Sequence, residues 1–310
     1  MNPAIARAEE SLRAGCGDRV RRGVSMAPLT TFRIGGRAAL FLEPQSTSDL
    51  EAVAAAVGET GVPVVVIGKG SNVLVADAGF PGVVLRLGRG FRWAARDGER
   101  LSAGGAMPLP ALAGVALSHG LTGLEFGVAI PASLGGAVKM NAGAHGRSMD
   151  EAVSRVELFD LRSSRLRGLA REEAGFGYRH SGLPVDWVVV GATFALAGGD
   201  TVSIRAEMDR AREWRRRTQP LAEPNCGSVF KNPPDVHAAR LIEEVGAKGL
   251  SVGGASVSTK HANFIVSGPG ATASDVLELI RRVRELVEVR TYVRLEPEVQ
   301  FVGDMEPVGD

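Results

Sequence analysis

Two glycine-rich segments carry residues whose types and spacing could do chemistry. The first, Gly68-Lys69-Gly70-Ser71-Asn72, directly follows the apolar run Val62–Ile67. Consecutive backbone N–H groups in such a turn can converge on an anion, and Lys69 adds a cation. It is not a Walker A loop, because Pro63 stands where the leading glycine belongs and Gly70 follows the lysine in place of Ser or Thr. Nor is it a dinucleotide fingerprint: Val73 replaces the third glycine, and Asn72–Asp77 reads as a strand instead of a helix. An anion nest and a plain β-turn both remain open for it. The second segment, Ala129–Gly146, has nine Gly or Ala among its eighteen residues, with Ser133 and Asn141 as the main neutral hydrogen-bonding side chains. Small residues at that density let a large flat ligand lie against the backbone, and tight packing between two elements would use the same composition. Taken singly, Ser228 reads as a turn serine, Arg179 as a surface cation and Glu298 as an edge-strand carboxylate.

These segments need elements to hold them. Residues 1–25 read as an amphipathic helix and a linker, and Ala39–Leu42 as a strand. Ser48–Val57 reads as a helix with a capping box in Ser48 and Glu51, followed by Val62–Ile67 as a strand buried on both faces. Strand, helix and strand in short order make a small α/β unit. From 83 to 200 the runs are β-like, separated by turns such as Arg96-Asp97-Gly98-Glu99 and interrupted by a helix over Leu109–His119 that Gly120 stops. Met208–Arg217 is a strongly basic helix that reads as a bridge between domains. Beyond it come a helix Ala238–Val245, a strand around Asn263–Val266, and a helix from Asp275. That last helix has Val276, Leu279, Ile280, Val283 and Val287 on one face. A final strand is expected over Tyr292–Phe301.

Composition narrows the class. With 310 residues the chain exceeds one typical domain and can bury most of its surface without disulfide staples. Thirty-six basic against 35 acidic residues leave a net charge of +1, which argues against a nucleic-acid or membrane-surface binder driven by bulk charge. Cys16 and Cys226 are too few and too far apart for a disulfide framework or a four-ligand zinc site, so a reducing cytoplasm is the expected location. No apolar run approaches the ~20 residues that span a bilayer. The 40 glycines, nearly twice the usual share, fit a chain with many tight turns or a backbone-lined groove.

Seven motifs in order add a resemblance: Thr30-Thr31-Phe32-Arg33-Ile34-Gly35-Gly36, the Gly68–Asn72 turn with Val73-Leu74-Val75, Ile130-Pro131 to Gly143, and Tyr178-Arg179-His180-Ser181. They continue with Gly227-Ser228-Val229-Phe230-Lys231-Asn232-Pro233, Ser258-Thr259-Lys260-His261-Ala262-Asn263-Phe264 and Leu295-Glu296-Pro297-Glu298-Val299. From about residue 29 to 303 the chain resembles the UDP-N-acetylenolpyruvoylglucosamine reductase family (UDP-N-acetylmuramate dehydrogenases), flavoenzymes of bacterial peptidoglycan synthesis. The resemblance implies an α+β protein of three domains. An N-terminal helix and linker (1–25) would precede two FAD-binding subdomains of the vanillyl-alcohol-oxidase type (26–88 and 89–207). A UDP-sugar domain (208–303) and a tail (304–310) would follow. It implies non-covalently held FAD, NADPH as co-substrate and UDP-N-acetylglucosamine enolpyruvate as substrate, in a monomer or weak oligomer with no nucleic-acid or membrane partner.

By the same resemblance, Ser228 is the proton donor, while Arg179 and Glu298 polarise the substrate carboxylate. A guanidinium offers paired planar donors to a carboxyl group gaining charge. Like charge between Glu298 and that carboxyl would favour the protonated, hydrogen-bond-donating acid. The cofactor residues implied are Gly68, Lys69, Gly70, Ser71, Asn72, Ile130, Pro131, Ser133, Gly135, Gly136, Asn141 and Gly143. For substrate they are Lys231, Asn232 and Arg215, with Arg216 and Arg217 open as alternatives to the last. Ala129, Ala132 and Ala239 stand where the family more often has glycine, which would tighten the pocket. An inserted tyrosine loop of the family's longer branch has no counterpart between Arg179 and Ser228. His145 and Cys226 read as structural. The rivals are another FAD oxidoreductase of the same superfamily, and a non-catalytic flavin- or UDP-sugar-binding relative.

Overall fold

A computed structural model describes residues 2–305; the end of the expected tail, from 306 onward, lies outside the described residues. The chain forms two compact units interleaved in sequence. The first comprises Met1–Arg22, Ala39–Lys69 and Gly82–Arg215, the second Gly23–Ala38, Gly70–Pro81 and Arg216–Asp310. Helices and mixed sheets together give the expected α+β class.

The first unit is built on two apolar cores. One packs α1 (Pro3–Cys16) and α2 (Thr47–Thr60), through Ile5, Leu12, Leu50 and Val53, against Leu40, Leu42, Val83 and Leu85. Asn2 caps α1 and Pro3 opens it, so its N-terminus needs no other partner. The cap of α2 is Ser46, whose hydroxyl accepts from Asp49 N, in place of the expected Ser48–Glu51 box. The shift follows from Asp49, which is buried and paired with Arg19, and so fixes the first turn earlier. The strand expected over Val62–Ile67 is Val64–Val66, pairing in parallel with Val83–Leu85 at the edge of a four-stranded sheet. All three valines are half-buried, so the strand is not enclosed on both faces.

The second core of this unit lies on a five-stranded antiparallel sheet. Its strands, in order, are Arg165–Ala170, Val153–Asp160, Trp187–Ala195, Arg100–Gly104 and Ala94–Asp97. α3 (Leu109–Ser118) and the short α4 (Leu134–Lys139) bury Leu109, Leu112, Leu134 and Val138 with Leu158 and Phe194. A one-turn α5 (Met149–Ala152) leads into the Val153–Asp160 strand. The basic helix is longer than expected: α6 runs over Thr201–Thr218 and seats Ile204, Met208 and Ala211 on Ala113 and Val128. Asp200 accepts from Ser203 N and sets that earlier start.

In the second unit, α7 (Ala238–Glu244) and α8 (Ala273–Thr291) cover a three-stranded sheet of Ser251–Val252, Ala255–Val257 and Ile265–Ser267. The α8 stripe of Val276, Leu279, Ile280, Val283 and Val287 is buried as its period predicts, each side chain contributing roughly 2 kcal/mol. The expected strand Tyr292–Phe301 is a correction. Tyr292 ends α8 in the left-handed conformation, and only Gln300–Val302 forms a strand, parallel to Val73–Val75. Pro297 lacks an N–H to donate to a ladder, so the segment before it makes one isolated bridge, to Phe230.

Candidate active site

Within the first unit, the residues expected to meet a flavin gather around α4. Ser133 caps this helix, its hydroxyl accepting from Gly136 N at 3.4 Å. A Cβ on Gly68 would collide with that hydroxyl, which accounts for a glycine there. At Gly135 a Cβ would press on the carbonyls of Val189 (3.1 Å) and Gly105 (3.2 Å), and its N–H donates to Gly105 O. Gly135 therefore serves close packing, whereas Gly136 has only the Ser133 hydroxyl nearby and leaves accessible backbone. Ile130 and Pro131 are accessible as well. Backbone bare of side chains suits a large planar cofactor, so the residues present fit FAD. No histidine lies in Val62–Val75 to tether one covalently.

Asn141 is buried, with φ +42°, and its amide is engaged at both ends: Nδ2 donates to Gly177 O at 2.9 Å and Oδ1 accepts from Asp150 N at 3.0 Å. It thereby holds a two-residue hairpin in which Gly177 and His180 exchange backbone hydrogen bonds, with Tyr178 and Arg179 at the tip. Arg179 sits at φ +54°, uncommon for a side-chain-bearing residue and costly without outside support. Support comes from Gly143, whose carbonyl accepts from Arg179 Nη2 at 2.8 Å, and from Tyr178, with its ring 5.1 Å from the guanidinium carbon. A Cβ at Gly143 would lie 2.9 Å from Arg179 Nη1. The hairpin is also sewn to α4. Ser181 Oγ donates to Lys139 O at 2.7 Å, and Lys139 Nζ donates to Leu183 O at 2.7 Å. Burial pulls the Lys139 pKa down to about 8, while Asp186 opposes the fall.

Within the second unit, the structure brings Ser228 and Glu298 onto neighbouring segments. Glu298 N donates to Val229 O at 2.7 Å, Lys231 N to Glu296 O at 2.9 Å, and Phe230 bridges Pro297. Ser228 and Glu298 are both half-buried, and Gly227, with φ +82°, sends its N–H to Asn225 Oδ1. Asn72 Nδ2 donates to Glu298 O at 3.1 Å and Gln300 N to Asn72 O, so this side chain braces the Glu298 segment. Gly70, at φ +65°, gives its carbonyl to Thr31 N, with the Leu29 carbonyl where a Cβ would go. Ser71 is half-buried and Lys69 exposed. Cys226 is buried beside this ladder. Burial first, and then the Glu298 charge, push its thiol pKa far up, which makes it inert as the sequence suggested.

Among the expected substrate cations, Lys231 pairs with Glu296 at 3.3 Å. Asn232 Oδ1 accepts from Ala238 N at the start of α7. Arg215 is half-buried, and burial lowers its pKa, while Arg216 and Arg217 are exposed. His145 meets Trp214 edge-on at 5.1 Å. The sequence reading gave no role to Asn263 or Lys139, although each supports a segment bearing a candidate residue. Their signals were an amide inside the apolar run Ala262–Val266 and a lysine at the end of a Gly/Ala helix. Among the described residues no group of His, Cys, Asp and Glu could hold a metal ion, and no helix is long and apolar enough to cross a membrane.

Comparison with known proteins supplies the family. Residues 38–167 match the family model for an FAD binding domain. Residues 219–302 match that for the C-terminal domain of UDP-N-acetylenolpyruvoylglucosamine reductase. The reductase of Heliobacterium modesticaldum is 48% identical over 90% of this chain and 89% of its own. That of Myxococcus xanthus is 43% identical over 98% of both chains. The crystal structure of the Thermus caldophilus enzyme superimposes with a TM-score of 0.80 at 39% identity, covering 92% of this chain and 99% of that one. A berberine bridge enzyme variant shares the fold alone, with a TM-score of 0.50 at 12% identity over 63% of this chain and 44% of that one. Near-full-length identity at this level, with both domain models in order, shows that the chain belongs to the UDP-N-acetylenolpyruvoylglucosamine reductase family.

Proposed function

We propose that the protein reduces the enolpyruvyl double bond of UDP-N-acetylglucosamine enolpyruvate to give UDP-N-acetylmuramate, at the expense of NADPH, as a step of peptidoglycan synthesis in the cytoplasm. The observation that carries the reading is the pairing of the Ser228 and Glu298 segments by direct backbone hydrogen bonds, in a chain that belongs to this family. FAD, when bound, supplies two-electron transfer from NADPH to the methylene carbon of the enolpyruvyl group. The residues that would hold it are Gly68, Lys69, Gly70, Ser71, Asn72, Ile130, Pro131, Ser133 and Gly136, with Gly135, Asn141 and Gly143 keeping that backbone in place. This reading assigns 26–88 and 89–207 to holding FAD and 208–303 to the UDP-sugar, although residues 23–38 and 70–81 group with the last of these in the fold.

The chain's own residues then act on the substrate. Electron density driven toward the carboxyl group is stabilised by the Arg179 guanidinium, which the Gly143 carbonyl and Tyr178 ring orient. Glu298, protonated beside the substrate carboxylate, donates a hydrogen bond to it. Ser228 Oγ–H gives its proton to the carbon bearing the carboxyl group, so that one hydride equivalent and one proton complete the reduction. Arg215, Lys231 and Asn232 bind the diphosphate.

Ser228→Ala tests this assignment. NADPH should still bleach the flavin of the variant, whereas its reoxidation by substrate should slow by at least about 100-fold, the lower range for loss of a positioned proton donor. Reoxidation at the wild-type rate would remove Ser228 from the mechanism.

A further inference from the structure

Phe230 lies two residues beyond Ser228, and its backbone is held on both edges. One edge faces the Glu296–Glu298 segment. The other faces a single side chain, Asn263, which is 4% exposed. Asn263 Oδ1 accepts from Phe230 N at 2.9 Å, and Nδ2 donates to Phe230 O at 2.8 Å. The amide thus copies the donor-and-acceptor pair that a neighbouring strand would present. The Asn263 carbonyl also accepts from Val229 N at 2.9 Å, and its N–H donates to His261 Nδ1 at 3.3 Å. Burial holds His261 toward its neutral form, which keeps that acceptor available. These four hydrogen bonds of Asn263 therefore either fix the 229–230 backbone or anchor Asn263 itself. Ser228 lies between this fixed pair and the Gly227 turn, with little freedom of its own.

We infer that Asn263 is a positioning residue for the protonation step: its amide fixes the Phe230 backbone and so helps to set where the Ser228 hydroxyl stands relative to Glu298. The inference rests on Ser228 as the proton donor. Proton transfer to carbon is steeply sensitive to placement, and a displacement of about 1 Å can cost on the order of 100-fold. Removing the amide would leave the Phe230 N–H and C=O unsatisfied in a buried place, and the segment would shift to recover partners. Asn263→Asp keeps an acceptor for Phe230 N but replaces the donor to Phe230 O with a carboxylate oxygen, which, ionised, adds a buried negative charge facing that carbonyl.

Asn263→Leu, Asn263→Asp and Ser228→Ala, alone and combined, test it with holoenzyme under anaerobic conditions. In both Asn263 variants, bleaching by NADPH and KM for UDP-N-acetylglucosamine enolpyruvate should stay within about twofold of wild type. Flavin reoxidation by substrate should fall about 30-fold or more in the leucine variant and by more than about threefold in the aspartate one. On the Ser228→Ala background the Asn263 changes should have no further effect, since a positioning residue has nothing left to position. Losses that multiply in the double variants, or reoxidation within threefold of wild type in both single variants, would overturn the inference. If Asn263→Leu yields no flavin-bearing protein, Asn263→Asp decides alone by the same criteria. Wild-type reoxidation in Ser228→Ala would instead overturn the proton-donor reading on which the inference rests.

Discussion

Lys139 ends α4 and sends its ammonium into the segment that follows Arg179, donating to Leu183 O at 2.7 Å and also to Pro184 O. Burial lowers its pKa from 10.5 to about 8. That difference corresponds to ~3 kcal/mol by which the folded chain disfavours the proton. The side chain is only half-buried, so screening by water brings the contribution to on the order of 1 kcal/mol. Because the folded state holds this proton less tightly than the unfolded chain does, the protein gains stability as pH rises from about 8 toward 10.5. Lys139→Met has no such proton and lacks that gain. All three tryptophans (Trp93, Trp187 and Trp214) lie in the first unit, so tryptophan fluorescence during urea unfolding reports on the unit that contains Lys139. The stability of wild type minus that of Lys139→Met should grow by on the order of 1 kcal/mol between pH 7 and 10.5, other titrations cancelling in the difference. A difference that stays flat, or shrinks, would refute the lowered pKa and show that the ammonium's hydrogen bonds to Leu183 O and Pro184 O offset or outweigh its desolvation.

Three further outcomes follow from local geometry. Asp49 accepts from Arg19 Nη2 at 2.6 Å and from Gln45 N at 2.6 Å; the Arg19 bond foremost holds its carboxyl below the usual range, against desolvation. Asp49→Asn should cost about 2 kcal/mol at pH 7, and its deficit should shrink once pH falls below 3.8 and through the lower folded value, as urea melts across that range would measure. Cys16 and Cys226 are both buried with thiols pushed up, so a thiol reagent at pH 8 should label neither within minutes unless urea is added; rapid native labelling would contradict their burial. Arg215→Ala should raise KM for the UDP-sugar about tenfold, close to 1.4 kcal/mol, with Arg216→Ala and Arg217→Ala within twofold; equal effects at all three would make the contact a diffuse field of charge.

What the sequence revealed tracks how local the signal is. The α8 stripe was readable because one face of a single helix must bury its apolar residues at a 3.6-residue period. The start of α2 was misread because Ser46 and Ser48 both satisfy the local rule, and the choice falls to Asp49 and its partner Arg19, 30 positions away. Over Val293–Phe301 the alternation of apolar residues imitates a strand, and Leu295 and Val299 are indeed buried, yet Pro297 prevents a continuous ladder. The candidate residues themselves came from ordered motifs. Their supports did not, because Asn263 to Phe230, Ser181 to Lys139 and Lys139 to Leu183 are hydrogen bonds across 33, 42 and 44 positions. Glycine surroundings divided in the same way: Gly136 has only the Ser133 hydroxyl near its Cβ position, whereas Gly135 and Gly143 make room for carbonyls and for Arg179, a distinction that composition does not carry.

The reductase reading meets its most direct test in the flavin spectrum of purified protein under anaerobic conditions. NADPH should bleach the oxidised flavin band, and addition of UDP-N-acetylglucosamine enolpyruvate should restore it rapidly with formation of UDP-N-acetylmuramate. A flavin that bleaches and stays bleached with this substrate, or a protein that binds no FAD even when it is supplied, would contradict it.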